Sequence, residues 1–230
     1  MNDKGPIVVH IGYQPATVEQ VYFPQVEVVG NVGPSLKLLG DRLEGMVPNA
    51  EALLPLREKI LDHLADRATE DRFTPQRIVH DVRQVMPADG IVALDNGMYK
   101  IWFARNYRTK KANTLLLDNA LATMGAGLPS AMMASMLYPN TRVMAVCGDG
   151  GFMMNSQELE TAVRLKLNLV VLILDDGAYG MIRWKQSVDD FPDFGMTFKN
   201  PDFVKYAEAY GAKGHRVEDI SLLKTTMEKA

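Results

Sequence analysis

The chain has 230 residues, of which 47% are hydrophobic and 23% are charged, and this composition is typical of a soluble globular protein. The formal net charge of −3 gives no electrostatic reason to expect a nucleic acid or an anionic membrane as a partner. The single cysteine, Cys147, excludes a disulfide within the chain, and no apolar run approaches the roughly 20 residues that span a bilayer. Together with the lack of a signal-peptide core behind Met1, these features predict a cytoplasmic protein that does not enter a membrane.

The first part of the chain resembles a piece of a larger domain. Residues 6–11 predict a buried strand, residues 26–29 predict a second strand, and residues 33–43 predict a short helix. Because two strands and one helix bury too little surface to be stable alone, we interpret residues 1–43 as the end of a domain whose beginning is absent. The charged residues 44–72 predict a linker with a surface helix.

From residue 73 onward, helices and strands alternate. Thr74 and Pro75 form a helix start, with the hydroxyl as N-cap and the proline in the first turn. The predicted strands are residues 91–94, 114–117, 143–147, 169–174 and 213–217. The predicted helices are residues 75–86, 98–107, 120–137, 156–166, 179–186, 201–210 and 220–229. This order predicts an α/β domain over residues 73–230, with a parallel sheet, helices on both faces and a last strand expected beyond residue 230.

The most informative segment is Gly148-Asp149-Gly150, which follows one predicted strand, together with Asp176, which follows the next. Consecutive parallel strands place their carboxyl ends side by side, where ligands bind. The glycines allow backbone N–H groups to approach a phosphate, and two carboxylates favour a divalent cation. The alternatives are an ordinary Asp-Gly turn at Asp149 and a helix N-cap at Asp176, which is compatible with metal binding.

Other ligand chemistries have weaker support. A dinucleotide site or a P-loop needs a glycine-rich motif or a lysine that this chain lacks, and Asp95-Asn96-Gly97 does not supply one. The four histidines are scattered, without the spacing of a metal site, and we interpret them as packing or surface residues. The same holds for Cys147, which we expect to be a small buried side chain.

The segment also resembles a known family. Gly148-Asp149-Gly150, followed after 25 residues by Asp176, is similar to the thiamin diphosphate (ThDP) fingerprint GDG-x(24–27)-N. Residues 118–129 resemble the GxMGxGLPAA segment of acetolactate synthase large subunits, and residues 96–102 and 178–184 resemble two further segments of those enzymes. The resemblance identifies residues 73–230 as the diphosphate-binding (PP) domain and residues 1–43 as the remnant of the central domain.

The resemblance implies a cofactor site and its metal. The side chains of Asp149 and Asp176 and the carbonyl of Ala178 would hold Mg²⁺, the Ala122 carbonyl would accept a hydrogen bond from the aminopyrimidine, and Met124 would bend ThDP into a V shape. The cofactor-binding residues implied in this way are Asn96, Gly97, Met98, Tyr99, Ala122, Met124, Gly148, Asp149, Gly150, Gly151, Asp176, Ala178, Tyr179, Gly180 and Met181.

Two departures from the family pattern stand out. The second metal ligand is Asp176, preceded by Asp175, where the usual motif has an asparagine. The glutamate that activates ThDP belongs to a pyrimidine-binding (Pyr) domain of a second subunit, which would lie before residue 1. Glu158 and Glu160 follow the motif on the wrong side of the cofactor, so no catalytic residue is assigned to this chain. Flavin binding stays open, because most of the flavin-contacting domain is missing.

The expected function is the ThDP- and Mg²⁺-binding portion of an acetolactate synthase-like enzyme of branched-chain amino acid biosynthesis. The whole enzyme would decarboxylate pyruvate and transfer the hydroxyethyl group to a second 2-oxo acid, as a homodimer or homotetramer. The chain alone would not be fully active, because the Pyr domain with its glutamate is absent. The alternative is a non-catalytic or split-subunit ThDP-binding module of another 2-oxo acid decarboxylase or carboligase.

Overall fold

A computed structural model describes residues 7–16, 24–46, 50–66 and 71–230. The chain divides into two compact units, residues 1–59 and residues 60–230. The boundary between these units falls inside the predicted linker 44–72. The predicted domain boundaries, after residues 43 and 72, stay predictions.

The first unit contains a two-stranded parallel sheet. Strand β1 (Val9–Gly12) pairs with β2 (Val26–Val29), and Val9 lies opposite Val26. Helix α1 (Val32–Arg42) follows, and the Asn31 side chain caps it by accepting a hydrogen bond from the Gly33 N–H at 3.2 Å. The two predicted strands and the helix are thus confirmed, although residue 6 lies outside the described residues. The prediction that the first strand is buried is wrong, because β1 is only half-buried at best. Strand β2 is exposed along its length.

Within the predicted linker, a 3₁₀ turn (Ala50–Leu53) leads into helix α2 (Leu54–Asp66). A helix is thus present in this region, and its role as part of a linker stays a prediction.

The second unit is built on a four-stranded parallel sheet in the order β4-β3-β5-β6. The strands are β3 (Ile91–Leu94), β4 (Leu115–Leu117), β5 (Val143–Gly148) and β6 (Leu169–Leu174). Strand β5 is central and pairs with β6 from Val143 opposite Leu169 to Gly148 opposite Leu174. The predicted parallel α/β fold is confirmed, and the two strands that carry the Gly-Asp-Gly segment and Asp176 are direct neighbours.

Helices cover both faces of this sheet. The helices from residue 75 onward are α3 (Pro75–Val85), α4 (Met98–Asn106), α5 (Gly127–Leu137), α6 (Asp149–Met154), α7 (Leu159–Arg164), α8 (Gly180–Val188), α9 (Phe203–Ala209) and α10 (Leu223–Lys229), with 3₁₀ turns at Ser156–Glu158 and Ile220–Leu222; α8 has no buried residue and is not one of those that cover the sheet. The predicted cap of α3 is confirmed, since the Thr74 side chain accepts a hydrogen bond from the Arg77 N–H at 3.3 Å.

The core lies on the two faces of β3 and β5, whose side chains alternate. Met144 and Val146 of β5 pack with α3, α4 and α10 on one face. Val143, Ala145 and Cys147 pack with α5, α6 and α7 on the other. Cys147 is fully buried, as expected, and burial raises the pKa of its thiol. Both faces of the central strands are buried, which explains their nearly continuous apolar sequence.

One helix prediction in the middle of the chain is wrong over its first seven residues. The helix expected at residues 120–137 begins only at Gly127, because the preceding loop contains Ala122 with φ +49° and Gly125 with φ +86°, both incompatible with a right-handed helix. The helix expected at residues 156–166 is confirmed in its body, as a 3₁₀ turn followed by α7, whereas the separate helix α6, which starts directly at Asp149, was not predicted.

The strand expected at residues 213–217 is also absent: in the described part of the chain, this segment forms no strand. A Cβ at Gly214 would lie only 2.7 Å from the Val204 Cα, so the segment approaches the backbone of α9 closely. The glycine permits this close approach. The helix expected at residues 201–210 is confirmed in its body as α9, with Asp202 as N-cap and Gly211, at φ +84°, after its end.

Among the described residues, no helix is both long and apolar enough to cross a lipid bilayer.

Candidate functional site

The carboxyl edge of the parallel sheet is lined by aspartates. Each of the four strands is followed directly by one: Asp118 after β4, Asp95 after β3, Asp149 after β5 and Asp175 after β6. Asp176 adds a fifth carboxyl group at the same edge. In an open parallel sheet, this edge is where ligands bind.

Asp149 is held in one position by three N–H donors. Its side chain is 1% exposed. One carboxylate oxygen accepts a hydrogen bond from the Gly150 N–H at 2.7 Å. The other accepts from the Gly177 N–H at 2.7 Å and from the Asn200 amide at 2.6 Å. Because Gly177 follows β6, these bonds join the ends of β5 and β6 and fix the Asp149 carboxylate between them.

Asp176 carries negative charge that its surroundings compensate poorly. One of its oxygens accepts a hydrogen bond from the Ala178 N–H at 3.2 Å. Partial desolvation raises the pKa of Asp176, and the negative charges of Asp149 and Asp175 raise it further. The alternative interpretation as a helix N-cap is wrong, because α8 begins at Gly180 and its cap residue, Tyr179, makes no side-chain cap.

Asn200 is a site residue that sequence reasoning missed. Its amide donates to Asp149 at 2.6 Å and to Asp175 at 2.7 Å, so it bridges two of the strand-end carboxylates. Asp175 is thereby turned toward Asn200. Asn200 lies 51 residues after Asp149, and no local pattern in the sequence indicates that the two would meet.

The segment after β3 packs against the Gly-Asp-Gly segment. A Cβ at Gly148 would lie 3.1 Å from the Tyr99 ring, and a Cβ at Gly180 would lie 3.8 Å from the Met98 side chain and 3.3 Å from Asp176 Oδ2. The Tyr99 hydroxyl is buried and has no hydrogen-bond partner within the described ranges. Burial raises its pKa, so the hydroxyl keeps its proton and remains a potential donor.

The loop before α5 is tied to the same segment. The Asn96 amide donates to the Thr123 carbonyl at 2.7 Å, and Asp118 accepts from the Thr123 N–H at 3.0 Å. Lys100 Nζ donates to the Asn96 side chain and to the Asp118 carbonyl. These contacts bring Met124 to the edge of the sheet.

A ring pair covers the start of α6. The rings of Tyr179 and Phe198 have their centroids 4.8 Å apart, and the Tyr179 N–H donates to the Met196 carbonyl at 2.9 Å. A Cβ at Gly150 would lie 2.6 Å from the Tyr179 ring, so only glycine leaves room for this ring. The loop after α8 thus returns to cover the segment that follows β6.

These segments line a single cleft of about 1130 Å³. Every residue that the sequence suggested for cofactor binding lines it, with the exception of Ala122, which is exposed on the loop before α5. The cleft continues along β6, whose six residues are half-buried. The described residues contain no group of three or more His, Cys, Asp or Glu side chains arranged to hold a metal ion.

Comparison with known proteins assigns the cleft-bearing part of the chain to a family model. Residues 95–230 match the model described as "Thiamine pyrophosphate enzyme, C-terminal TPP binding domain". The catabolic acetolactate synthase of Raoultella terrigena is 34% identical over 100% of this chain and 42% of its own length. Acetolactate synthase of Bacillus subtilis (strain 168) is 33% identical over 96% of this chain and 40% of its own length.

A solved structure supports the fold. The thiamine diphosphate-dependent 4-hydroxybenzoylformate decarboxylase of Rhodococcus jostii RHA1 matches with a TM-score of 0.65 and 25% identity, over 70% of this chain and 31% of that one. The chain therefore spans about two-fifths of the length of the two acetolactate synthases it resembles and a smaller share of this decarboxylase.

Proposed function

Because the chain belongs to the thiamine pyrophosphate enzyme family and carries its C-terminal TPP-binding domain over residues 95–230, we propose that the cleft at the ends of β5 and β6 binds ThDP together with Mg²⁺. The observation that carries the proposal is the pair of carboxylates, Asp149 and Asp176, that follow two adjacent, parallel strands.

The chemistry of the donors fits a magnesium ion. In the proposal, one oxygen each of Asp149 and Asp176 and the carbonyl of Ala178 hold Mg²⁺, which prefers six oxygen ligands. Diphosphate oxygens and water complete the shell, so three ligands from the chain are sufficient. Partial desolvation, and then the charge of Asp149, raises the pKa of Asp176, and a cation bound beside this carboxylate would stabilise its charged form.

The same cleft fits a diphosphate. The Cβ positions of Gly148, Gly150 and Gly151 face Tyr99, Tyr179 and Asp95, but these glycines also line the cleft, and in the proposal their backbone lies next to the diphosphate. The Tyr99 hydroxyl is a buried donor without a partner among the described residues, and a phosphate oxygen would satisfy it. In the proposal, the segments Asn96-Gly97-Met98-Tyr99 and Tyr179-Gly180-Met181 enclose the diphosphate from two sides.

The loop before α5 would bind the opposite end of the cofactor. Met124 lines the cleft and would support the bend between the two rings of ThDP, while the carbonyl of Ala122 would accept a hydrogen bond from the aminopyrimidine. Holding both rings in one geometry is preorganisation. When bound, ThDP supplies the carbanion chemistry of 2-oxo acid decarboxylation, and the chain supplies its position.

The proposal extends to the whole enzyme from which the chain would derive. That enzyme would decarboxylate pyruvate and transfer a hydroxyethyl group to a second 2-oxo acid, in a homodimer or homotetramer in which a partner's Pyr domain contributes the activating glutamate. The similarity to two acetolactate synthases supports this reaction. Because both of these relatives are acetolactate synthases, the alternative of a module of another 2-oxo acid decarboxylase or carboligase is not favoured.

Isothermal titration calorimetry tests the binding site. ThDP titrated into the chain is expected to bind with Mg²⁺ present and to lose most of its affinity in EDTA. Asp149→Asn should weaken binding by at least about tenfold, since it removes a charged ligand. Asp189→Asn is the matched control, because Asp189 is an exposed carboxylate paired with Lys185 at the end of α8. The proposal fails if ThDP does not bind, or if Asp149→Asn and Asp189→Asn behave alike.

A further inference from the structure

Asp95 is a buried carboxylate that the proposed chemistry does not use. It follows β3 directly and is 0% exposed. Burying an ionised carboxylate is strongly unfavourable unless hydrogen bonds compensate it. Burial raises the pKa of Asp95 above its usual value, and hydrogen bonds from backbone N–H groups offset part of this rise.

The hydrogen bonds of Asp95 join two separate segments. One carboxylate oxygen accepts from the Asn96 N–H at 2.6 Å. The Gly125 N–H lies 2.9 Å from that oxygen and 3.0 Å from the other. The N–H groups of Ala126 and Gly127 also stabilise the negative charge of Asp95. The carboxylate therefore organises the turn that leads from the loop before α5 into α5 itself.

The surrounding backbone is shaped to admit this side chain. A Cβ at Gly127 would lie 2.7 Å from the Asp95 Cβ, and a Cβ at Gly151 would lie 3.1 Å from Asp95 Cγ. Gly127 therefore has no room for a Cβ, and a Cβ at Gly151 would press against the Asp95 carboxyl group. Gly127 and Gly151 thus make room for the Asp95 side chain, and their presence does not by itself indicate a phosphate site.

The loop before α5 is also held through its carbonyl groups. Asn96 donates to the Thr123 carbonyl at 2.7 Å, and Asn155 donates to the Gly125 carbonyl at 2.8 Å. Asp95 is the acceptor in this arrangement and the two asparagines are the donors. A change at Asp95 would therefore shift the loop relative to the segment that begins at Asn96.

We propose that Asp95 is a positioning residue that sets the spacing between the Asn96–Tyr99 segment and the Ala122–Met124 loop, so that both ends of one ThDP molecule are bound at once. This inference rests on the proposed function, which assigns the diphosphate to the first segment and the aminopyrimidine to the second. When the spacing of the two segments is fixed before ThDP binds, no free energy is lost in ordering them. The contacts of both segments then contribute in full to the affinity for ThDP.

Two ligands separate this role from a general structural one. Inorganic diphosphate with Mg²⁺ would contact only the first segment, whereas ThDP with Mg²⁺ would contact both. Asp95→Asn keeps the shape of the side chain but replaces an acceptor oxygen with an NH₂ group that faces N–H donors. We expect this variant to lose about 10- to 100-fold in ThDP affinity, as for one charge-assisted hydrogen bond, and less than about threefold in diphosphate affinity.

Asp81→Asn is the matched control, because Asp81 is also a buried carboxylate of the second unit, but it pairs with Arg77 within α3. It should leave the ratio of the two affinities unchanged. The inference is overturned if Asp95→Asn weakens both ligands equally or neither of them. If the unchanged chain binds diphosphate but not ThDP, the proposed function fails instead.

Amide hydrogen exchange gives a readout that needs neither ThDP nor a variant. If Asp95 links the segments, diphosphate with Mg²⁺ bound at the first segment should slow exchange of the Gly125 N–H, which bonds to Asp95. It should leave exchange of the Val82 N–H in α3 unchanged. An unchanged Gly125 exchange rate, with diphosphate binding verified by calorimetry, would overturn the inference even if Asp95→Asn does not fold.

Discussion

Gly127→Ala places a methyl group where the end of β3 and the start of α5 touch. The new Cβ would lie 2.7 Å from the Asp95 Cβ and 2.9 Å from both the Asp95 N and the Cys147 Sγ. Asp95 and Cys147 are fully buried, and one of the three contacts is to backbone, so the neighbours cannot move aside cheaply. Overpacking of this kind lowers the free energy of unfolding by about 1–3 kcal/mol, and replacing a helical glycine with alanine raises it by up to about 1 kcal/mol. We therefore expect the free energy of unfolding to fall by about 1–2 kcal/mol.

Urea unfolding followed by tryptophan fluorescence measures this loss. Both tryptophans of the chain, Trp102 and Trp184, belong to the second unit, so the signal reports the unit that contains Gly127. For a typical urea dependence, the midpoint should fall by about 0.5–1 M. Met136→Ala in the same helix is the matched control and should leave the midpoint nearly unchanged, since the Met136 side chain is exposed. An unchanged or higher midpoint for Gly127→Ala would refute the steric reasoning.

Three further substitutions test other parts of the structure. Lys166→Gly should stabilise the second unit by about 0.5–1 kcal/mol in the same assay, because Lys166 follows α7 with φ +52° and glycine adopts this conformation without strain. A lower urea midpoint would contradict this expectation. Leu128→Ala should destabilise by about 2–5 kcal/mol, because Leu128 is 1% exposed, and a change below about 1 kcal/mol would show that it is not packed as described. The ThDP affinity of Asp176→Asn, measured by calorimetry with Mg²⁺, should stay within about tenfold of that of the unchanged chain, because an amide oxygen remains a ligand and the repulsion from Asp149 is relieved. A loss of affinity equal to that of Asp149→Asn would contradict the assigned roles.

The sheet was predictable because its information is local. Residues 91–94 and 169–174 are apolar runs bounded by polar residues or glycine, and the structure begins and ends β3 and β6 at those positions. The nearly continuous apolar sequence of β5 likewise reflects its two buried faces. The Thr74-Pro75 helix start was predictable for the same reason, since the cap and the helix it caps are adjacent in sequence.

The loop before α5 was not predictable from local propensity. Its alanines and leucine favour a helix, but contacts made with residues 30 positions away, such as Asp95 to Gly125, stabilise a turn. Asp95 and Asn200 were missed for the same reason, because their partners are brought near only by the fold. The role of Gly214 was hidden too, since its approach to α9 leaves no pattern in the sequence.

The most direct test of the central claim is a crystal structure of the chain with ThDP and Mg²⁺. We expect one Mg²⁺ at about 2.0–2.1 Å from an oxygen of Asp149, an oxygen of Asp176 and the Ala178 carbonyl, with the diphosphate against Gly150 and Tyr99. A diphosphate bound elsewhere on the chain, or a metal ion that does not contact Asp149, would contradict it.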